Sequence, residues 1–324
     1  MAVTANHFER QNYYNGGGSS QVKLRKKFAT IEESLKNNLP QSVVSACDIW
    51  GKSYPDTFKI ASESDVAVVV CGTYATEGND RRWLTLIDYD DEEFLIKEVA
   101  KRNKNTVVVM FGPGVVDVSN WIDDVAAVVY VGFPGERGNE AIANILTGKV
   151  TPSGKLAETF AKTREDYPSE HTRRDAFTYY YDEGMNVGYR YFDKHNDRVR
   201  FPFGFGLSYT EFEYSDAAYE VCGGKRFINV SVKNTGATDG SEIVQVYVLS
   251  EENSIDPIKQ LKGFGKVFVT AGNTEKLRIE LDDRAFDYYS VEQHKWVTRV
   301  GEITLAIASC SQDVRLRLTI NNPN

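Results

Sequence analysis

Several classes of protein are excluded by what this sequence lacks. Its four cysteines are scattered and show neither a CxxC pair nor the spacing of a metal site: Cys47, Cys71, Cys222 and Cys310. Cys47 and Cys71 end apolar runs, which predicts buried free thiols, and a disulfide between Cys222 and Cys310 is left open. The four histidines are far apart in the sequence. We therefore expect no metal ion and no cofactor.

Long apolar runs and an excess of positive charge are also missing. No run approaches the roughly 18 apolar residues of a membrane-spanning helix. The net charge of −8 argues against nucleic acid or an anionic membrane as the main partner. The first residues lack a basic start and a long apolar stretch, so no signal peptide is predicted. Cytoplasmic localisation is the default expectation, and secretion is left open in case the start is artificial.

Two glycine-rich stretches lack the rest of a nucleotide-binding signature. Residues 15–20, Asn-Gly-Gly-Gly-Ser-Ser, lack the Lys-Ser/Thr of a P-loop. Residues 132–138, Gly-Phe-Pro-Gly-Glu-Arg-Gly, do not have GxGxxG spacing and contain Pro134. A tight turn between a strand and a helix is the better interpretation of the second stretch. A flavodoxin-like nucleotide protein is therefore the weakest functional hypothesis for this sequence.

The first half of the sequence alternates apolar strands with helices. The strands are predicted at 2–4, 42–47, 66–71, 106–111, 126–131 and 155–160, and the helices at 30–39, 57–64, 90–102 and 139–146. Strands that are continuously apolar indicate a mostly parallel sheet covered on both faces. We therefore predict a six-stranded, mostly parallel α/β sandwich domain over residues 1–165.

The second half has a different composition and a different pattern of apolar residues. Residues 166–211 are rich in Tyr, Phe, Gly and Arg and are too aromatic for a disordered linker. We predict that they form an ordered strap packed between two domains. Over residues 212–324, roughly seven short alternating strands separated by turns are typical of an all-β sandwich of the fibronectin III or immunoglobulin type.

The loop after the strand at 66–71 holds the candidate site. Its polar residues include Glu77, Asp80 and Arg81. In open parallel α/β sheets ligands bind outside the carboxyl ends of the strands, which makes Glu77 a candidate catalytic carboxylic acid. From position alone, a solvated carboxylate is the simpler interpretation of Glu77, and a loop-fixing ion pair is the simpler interpretation of Asp80 and Arg81.

Several ordered motifs together resemble glycoside hydrolase family 3, the β-glucosidase-like enzymes. Residues 76–81, Thr-Glu-Gly-Asn-Asp-Arg, resemble that family's Glu-Gly-x-Asp-Arg segment. Residues 201–210, Phe-Pro-Phe-Gly-Phe-Gly-Leu-Ser-Tyr-Thr, are the most specific match. Ala157 departs from the family, which has proline at that position. Further matching segments lie at 135–143, 146–148, 152–156, 188–192, 234–236, 245–247 and 261–264.

This resemblance implies a retaining, exo-acting glycosidase that typically removes terminal β-D-glucose. In the family, a TIM barrel supplies an Asp nucleophile and most contacts to the sugar, and the α/β sandwich supplies the acid/base Glu. By resemblance, Glu77 is the general acid/base, and Ser19 or Ser20 contacts the substrate. The proton donor of such a pair needs a raised pKa, which desolvation beside a second carboxylate provides.

A TIM barrel takes about 250 residues, and no segment of this sequence is left over to form one. We therefore expect the nucleophile on a barrel domain or subunit outside this chain, and we expect the isolated chain to be inactive. Three explanations are left open: a fragment of an enzyme, which the abrupt start favours, one subunit of a split enzyme, or a barrel-free paralogue.

If the chain is a barrel-free paralogue, its alternative function is that of a non-catalytic module. Such a module binds carbohydrate or protein instead of hydrolysing a β-glucoside substrate. The preferred sugar, the linkage and the formation of a homo-oligomer are not decided by the sequence.

Overall fold

The chain divides into two units in the computed structural model, which describes residues 1–5, 16–23, 28–48, 53–73, 75–86, 92–175, 177–250 and 257–323. The first unit comprises Met1–Val150 with Lys162–Arg164, and the second comprises Thr151–Ala161 with Glu165–Asn324. Each unit has its own hydrophobic core.

A parallel sheet forms the centre of the first unit. Its five strands among the described residues are β1 Ala2–Ala5, β2 Ser45–Asp48, β3 Ala67–Gly72, β4 Thr106–Phe111 and β5 Ala127–Gly132. They lie in the order β2-β1-β3-β4-β5, and every neighbouring pair is parallel. The chain adds β2 on one side of β1 and the later strands on the other side. The winding direction therefore reverses between β1 and β3, and their carboxyl ends border the crevice in which such sheets bind ligands.

Among the described residues, three helices connect these strands, α1 Ile31–Asn38, α2 Tyr54–Ser62 and α3 Glu92–Arg102, and a fourth, α4 Gly138–Leu146, follows β5. A capping box begins α1, because the Glu33 amide donates to Thr30 Oγ1 and the Thr30 amide donates to the Glu33 carboxylate. Helix α2 begins at Tyr54, three residues before its predicted start at Thr57. Pro55 lies in the first turn of α2, where a missing N–H costs nothing.

Apolar side chains on both faces of β3 bury the sheet. Val68 and Val70 pack against Leu35 of α1 and Ile142 of α4 in one core cluster. Alternate residues of a strand point to opposite faces, so Val69 lies on the other face, where α2 and α3 pack together. This burial on both faces explains why the strand is continuously apolar.

The second unit contains the predicted β-sandwich. One sheet has the strand order β11-β10-β15-β16 and the other has the order β12-β9-β8. The strands are β8 Phe212–Cys222, β9 Lys225–Asn234, β10 Gly240–Leu249, β11 Lys259–Val269, β12 Thr274–Leu281, β15 Gly301–Cys310 and β16 Asp313–Asn322. Seven antiparallel strands in two sheets, with one shared apolar core, confirm the sandwich. A separate hairpin, β13 Asp287–Ser290 with β14 Lys295–Thr298, is absent from the prediction.

The aromatic-rich strap belongs to the second unit from Glu165 onward. It contains a short helix, α5 Tyr189–Phe192. The Tyr189 ring stacks on Phe203 at 4.9 Å between ring centroids, and its hydroxyl accepts a hydrogen bond from the Leu261 amide. The carbonyl of Gly204 accepts a hydrogen bond from the Gln245 side chain. These contacts fix the strap to the sandwich and explain why so many of its residues are aromatic.

The predicted sixth strand of the parallel sheet is wrong. Within residues 155–161, only Phe160–Ala161 forms a strand, β6, and it pairs antiparallel with β7 Val199–Phe201. The Leu156 amide donates to the Phe205 carbonyl, and the Gly204 amide donates to the Leu156 carbonyl. The apolar pattern predicted an extended segment correctly but gave no information on its partner, which is the strap.

The cysteine predictions have a clear outcome. All four side chains are free thiols: Cys47, Cys71 and Cys310 are buried, and Cys222 is exposed. The buried thiols predicted for Cys47 and Cys71 are confirmed, and the disulfide left open between Cys222 and Cys310 is not formed. No described helix has the length and apolar character needed to cross a membrane.

Candidate active site

Glu77 lies on the loop that leaves the carboxyl end of β3. Residues 16–20, which come after β1 in the sequence, approach this loop at Gly17. The Gly17 amide donates to the Ala75 carbonyl at 2.9 Å, and a parallel bridge joins Gly17 to Thr76. Two pieces of chain about sixty residues apart therefore meet at the crevice between β1 and β3. The structure thus brings the predicted loops together at the predicted edge of the sheet.

Ser19 holds the Glu77 carboxylate through two hydrogen bonds. The Ser19 hydroxyl donates to Glu77 Oε2 at 2.5 Å, and the Ser19 backbone amide donates to the same oxygen at 3.0 Å. Both residues are exposed. Donors that point at an anion stabilise its charged form. The side-chain bond from Ser19, and then the backbone bond, lower the pKa of the Glu77 carboxyl, while desolvation opposes them.

This direction is opposite to the raised pKa that a proton donor needs. In the chain as described, Glu77 is an exposed carboxylate with its charge stabilised by Ser19. Such a group is ionised near neutral pH, which is the form that a general base requires. It donates a proton near neutral pH only after a second negative charge or the removal of water raises its pKa.

Glycine at position 18 allows this arrangement. Gly18 has a φ of +66°, in the left-handed region that favours glycine, and a Cβ there would lie 2.6 Å from Glu77 Cβ. Any side chain at position 18 would therefore occupy the space that Glu77 uses. A Cβ on Gly16 would similarly lie 3.0 Å from the Phe133 ring, on the turn between β5 and α4. The glycine-rich stretch is thus shaped for close backbone approach.

The second predicted serine has a different role in the structure. Ser20 Oγ donates to the Gly17 carbonyl at 2.9 Å, within its own segment. Of the two serines predicted to contact substrate, only Ser19 contacts Glu77. Substrate contact by either residue stays a prediction.

Two buried carboxylates of α3, which the sequence analysis missed, hold the two ends of the Glu77 loop. Glu92 Oε2 accepts from the Gly72 amide at the start of the loop, and Glu93 Oε1 accepts from the Leu86 amide near its end. Glu93 also accepts from the Asn120 side chain. Both carboxylates are buried in the first turn of α3. The sequence signal was the pair of acidic residues in this first turn.

Arg81 also fixes the loop. Its guanidinium donates to Thr73 Oγ1 at 3.3 Å and to the Val115 carbonyl at 2.8 Å. Arg81 therefore holds the loop through hydrogen bonds to the chain that follows β3 and β4. Asp80 is exposed, and its ion pair with Arg81 stays a prediction. No group of three or more His, Cys, Asp or Glu side chains in the described part of the chain is arranged to hold a metal ion.

The chain combines an α/β unit that holds the candidate site with a β-sandwich unit. A doubly wound parallel sheet presents an exposed carboxylate where its winding reverses, and the same chain continues into a fibronectin III-like β-sandwich. Comparison with known families agrees with both halves. Residues 1–209 match the glycosyl hydrolase family 3 C-terminal domain, and residues 242–311 match the fibronectin type III-like domain. The chain belongs to glycoside hydrolase family 3.

Curated relatives and solved structures show the same likeness. The chain is 40% identical over 335 residues to thermostable beta-glucosidase B of Acetivibrio thermocellus, an alignment covering 97% of this chain and 43% of that protein. It is 31% identical to an exo-alpha-(1->6)-L-arabinopyranosidase of Bifidobacterium breve, over 97% of this chain and 42% of that protein. The crystal structure of a family 3 beta-glucosidase from Bifidobacterium adolescentis superposes with a TM-score of 0.86 and 30% identity, over 99% of this chain and 49% of that one.

These relatives are much longer than the chain. It spans about two fifths of the length of both curated relatives and about half of the solved chain. The part that it matches is the C-terminal portion of family 3 β-glucosidase-like proteins.

Proposed function

We propose that this chain supplies the general acid/base, Glu77, to a β-glucosidase-type retaining exo-glycosidase that hydrolyses terminal β-D-glucosyl residues. The observation that carries the proposal is the Ser19-held carboxylate of Glu77 at the β1 and β3 strand ends of a family 3 chain. The nucleophile is an Asp on a TIM barrel outside this chain, present as a further domain or as a separate subunit.

The chemistry needs two carboxyl groups about 5–5.5 Å apart. In the first step the barrel Asp attacks the anomeric carbon, and the Glu77 carboxylic acid gives its proton to the leaving glycosidic oxygen. In the second step the Glu77 carboxylate takes a proton from water. The water oxygen bonds to the same carbon, and the bond to the Asp breaks. Glu77 therefore has to act as an acid and then as a base.

In the chain alone, Glu77 has the charge state from which the second step starts. Ser19 lowers the pKa of Glu77, so the carboxylate is the stable form at neutral pH. A docked barrel would bring the negative charge of the Asp close to Glu77 and would exclude water from it. Both effects raise the pKa of a carboxyl group and would restore the acid form.

The substrate class is supported by the relatives. The relative with 40% identity is named a beta-glucosidase, as is a relative from Bacteroides ovatus with 31% identity. The arabinopyranosidase relative is also 31% identical, so glycone preference varies at this level of similarity. A β-D-glucoside is the first substrate to test, and an α-L-arabinopyranoside is the second.

The experiment joins this chain to a family 3 barrel. The part of the Acetivibrio thermocellus protein that does not align with this chain is co-expressed with it, and hydrolysis of aryl β-glucosides is measured. We expect no turnover by the chain alone and turnover by the pair. Glu77→Ala should lower the rate about 10²–10⁴-fold on a poor leaving group, because the general acid is lost. The loss should be smaller on a 2,4-dinitrophenyl glucoside, whose leaving group needs no proton.

Glu63→Gln is the matched control. Glu63 is also an exposed carboxylate, but it lies at the end of α2, just before β3 begins, and therefore at the opposite edge of the sheet. This variant should retain the activity of the unmodified pair. Strong activity of the isolated chain, or equal losses for both variants, would contradict the proposal.

One observation favours the alternative of a non-catalytic binding module. Because the pKa of Glu77 is lowered, its side chain is a carboxylate at neutral pH. A carboxylate accepts hydrogen bonds from sugar hydroxyls. A binding module that uses this carboxylate would bind glucose or cellobiose as the isolated chain and would bind more weakly after Glu77→Gln, and no barrel would make it active. Calorimetric titration of the two variants distinguishes the functions.

A further inference from the structure

We infer that Ser19 is a positioning residue that anchors Glu77 through Oε2 and leaves Oε1 as the oxygen that transfers the proton. The inference rests on the proposed function, because it assigns separate roles to the two oxygens of the same acid/base. It adds a role for Ser19 that is different from substrate contact.

The two oxygens of Glu77 have different surroundings. Oε2 accepts both the hydroxyl and the amide hydrogen of Ser19, at 2.5 and 3.0 Å. Among the residues that the structure describes, none donates a hydrogen bond to Oε1, and the Glu77 side chain is exposed. Oε1 is therefore the oxygen that a ligand can approach.

The proton follows from this asymmetry. The Ser19 amide can only donate, so placing the acid proton on Oε2 would set two hydrogens against each other. A proton on Oε1 leaves Oε2 as a carbonyl oxygen that still accepts both bonds. In the acid step, the Oε1–H bond breaks and the proton passes to the leaving oxygen. In the base step, a water O–H bond breaks and its proton returns to Oε1.

Ser19 acts on Glu77 without help from charged residues of its own segment. Residues 16–20 are glycines and serines and contain no titratable side chain. On the Glu77 loop the charged neighbours are Asp80, Arg81 and Arg82. The contributions that lower the pKa of Glu77 come from the Ser19 hydroxyl and then the Ser19 amide. Removing the hydroxyl therefore removes the larger contribution and leaves the amide bond in place.

The first test is a titration of Glu77 in the full chain. Glutamate is labelled with ¹³C at the carboxyl carbon, and the Glu77 signal is assigned by its loss in Glu77→Gln. Ser19→Ala should raise the pKa of Glu77. Ser20→Ala is the matched control, because the Ser20 hydroxyl donates to the Gly17 carbonyl of its own segment, and it should leave the titration unchanged. Ser19→Thr keeps a hydroxyl and should retain the low pKa.

The second test is the pH profile of kcat/KM for the chain with its barrel. The basic limb of that profile reports the loss of the acid form of the free enzyme. Because Ser19→Ala raises the pKa of Glu77, the basic limb should move to higher pH. With only the Ser19 amide left to hold it, the carboxylate is also oriented less firmly, so kcat should fall about 10–100-fold. Ser62→Ala is the control for activity, because Ser62 lies on α2, before β3 begins, and its hydroxyl donates to the Lys59 carbonyl. This variant should change neither quantity.

The outcomes separate this inference from the proposed function. If Ser19→Ala leaves both the Glu77 titration and the basic limb unchanged, the positioning role is refuted, whereas Glu77 can still be the acid/base. If Glu77→Ala retains full activity on poor leaving groups, the proposed function fails whatever Ser19 does. If Ser19→Ala and Ser20→Ala shift the titration equally, the effect is not specific to the Oε2 contact and the inference is overturned.

Discussion

Replacing Gly18 with alanine should separate Glu77 from Ser19. The new Cβ would lie 2.6 Å from Glu77 Cβ, whereas two carbon atoms in contact are about 3.5–4.0 Å apart. The two side chains must therefore separate by about 1 Å. The hydrogen bond from Ser19 Oγ to Glu77 Oε2 is 2.5 Å long, so a shift of about 1 Å takes it to the limit of hydrogen-bond geometry. The pKa of Glu77 should rise as this bond is lost.

Gly148→Ala is the matched control for the backbone. Gly148 has a φ of +70° against +66° for Gly18, and a Cβ there meets nothing within 4 Å. Each alanine should lower the free energy of unfolding by about 1–2 kcal/mol, the cost of a left-handed backbone. Only Gly18→Ala should also change the ¹³C titration of Glu77. If both variants leave Glu77 titrating as in the unmodified chain, the steric reasoning is wrong.

Two further predictions concern the two cores and are measured by urea unfolding. Leu35→Ala should lower the free energy of unfolding of the first unit by about 2–5 kcal/mol, because Leu35 is fully buried against the sheet. The exposed neighbour variant Lys36→Ala should change it by less than about 0.5 kcal/mol, and a similar loss for both would show that this face is not packed. Glu242→Gln in the second unit should cost about 3–5 kcal/mol, because the Lys155 ammonium, 3.2 Å from the buried Glu242 carboxylate, loses its counter-charge. The exposed pair of Lys225 and Glu280 provides the control, since Glu280→Gln should cost at most about 1 kcal/mol, and equal costs would contradict the role of burial.

The elements of the first unit were largely predictable because each is specified locally. Strand β3 has a continuous apolar run, and α1 has a Thr30 cap with Glu33 three residues later. The order of the strands was not predictable in the same way, since it depends on which strands pair. The misplaced strand at 155–160 shows this limit, because its partner lies in the strap.

The candidate site was predictable only in part. The position of Glu77 after an apolar strand indicated the right edge of the sheet, and the acid/base chemistry proposed for it rests on the resemblance. The contact between Ser19 and Glu77 joins residues 58 positions apart, and no local pattern encodes it. The same holds for Glu92 and Glu93, whose burial against the loop ends follows from tertiary packing. The direction of the Glu77 pKa depends on the Ser19 contact, which explains why expectation and structure differ.

Azide rescue of Glu77→Ala in the reconstituted enzyme tests the central claim most directly. Azide needs no general base, so it can attack the glycosyl-enzyme, bond to the anomeric carbon and release the barrel Asp. With a 2,4-dinitrophenyl β-glucoside, we predict that azide accelerates turnover of Glu77→Ala and yields the β-glucosyl azide, the product of retention. The enzyme with Glu77 intact and the Glu63→Gln variant should both release glucose, and azide should not accelerate their turnover. Full activity of Glu77→Ala without azide, or a slow variant that azide does not accelerate, would contradict the assignment of Glu77 as the acid/base.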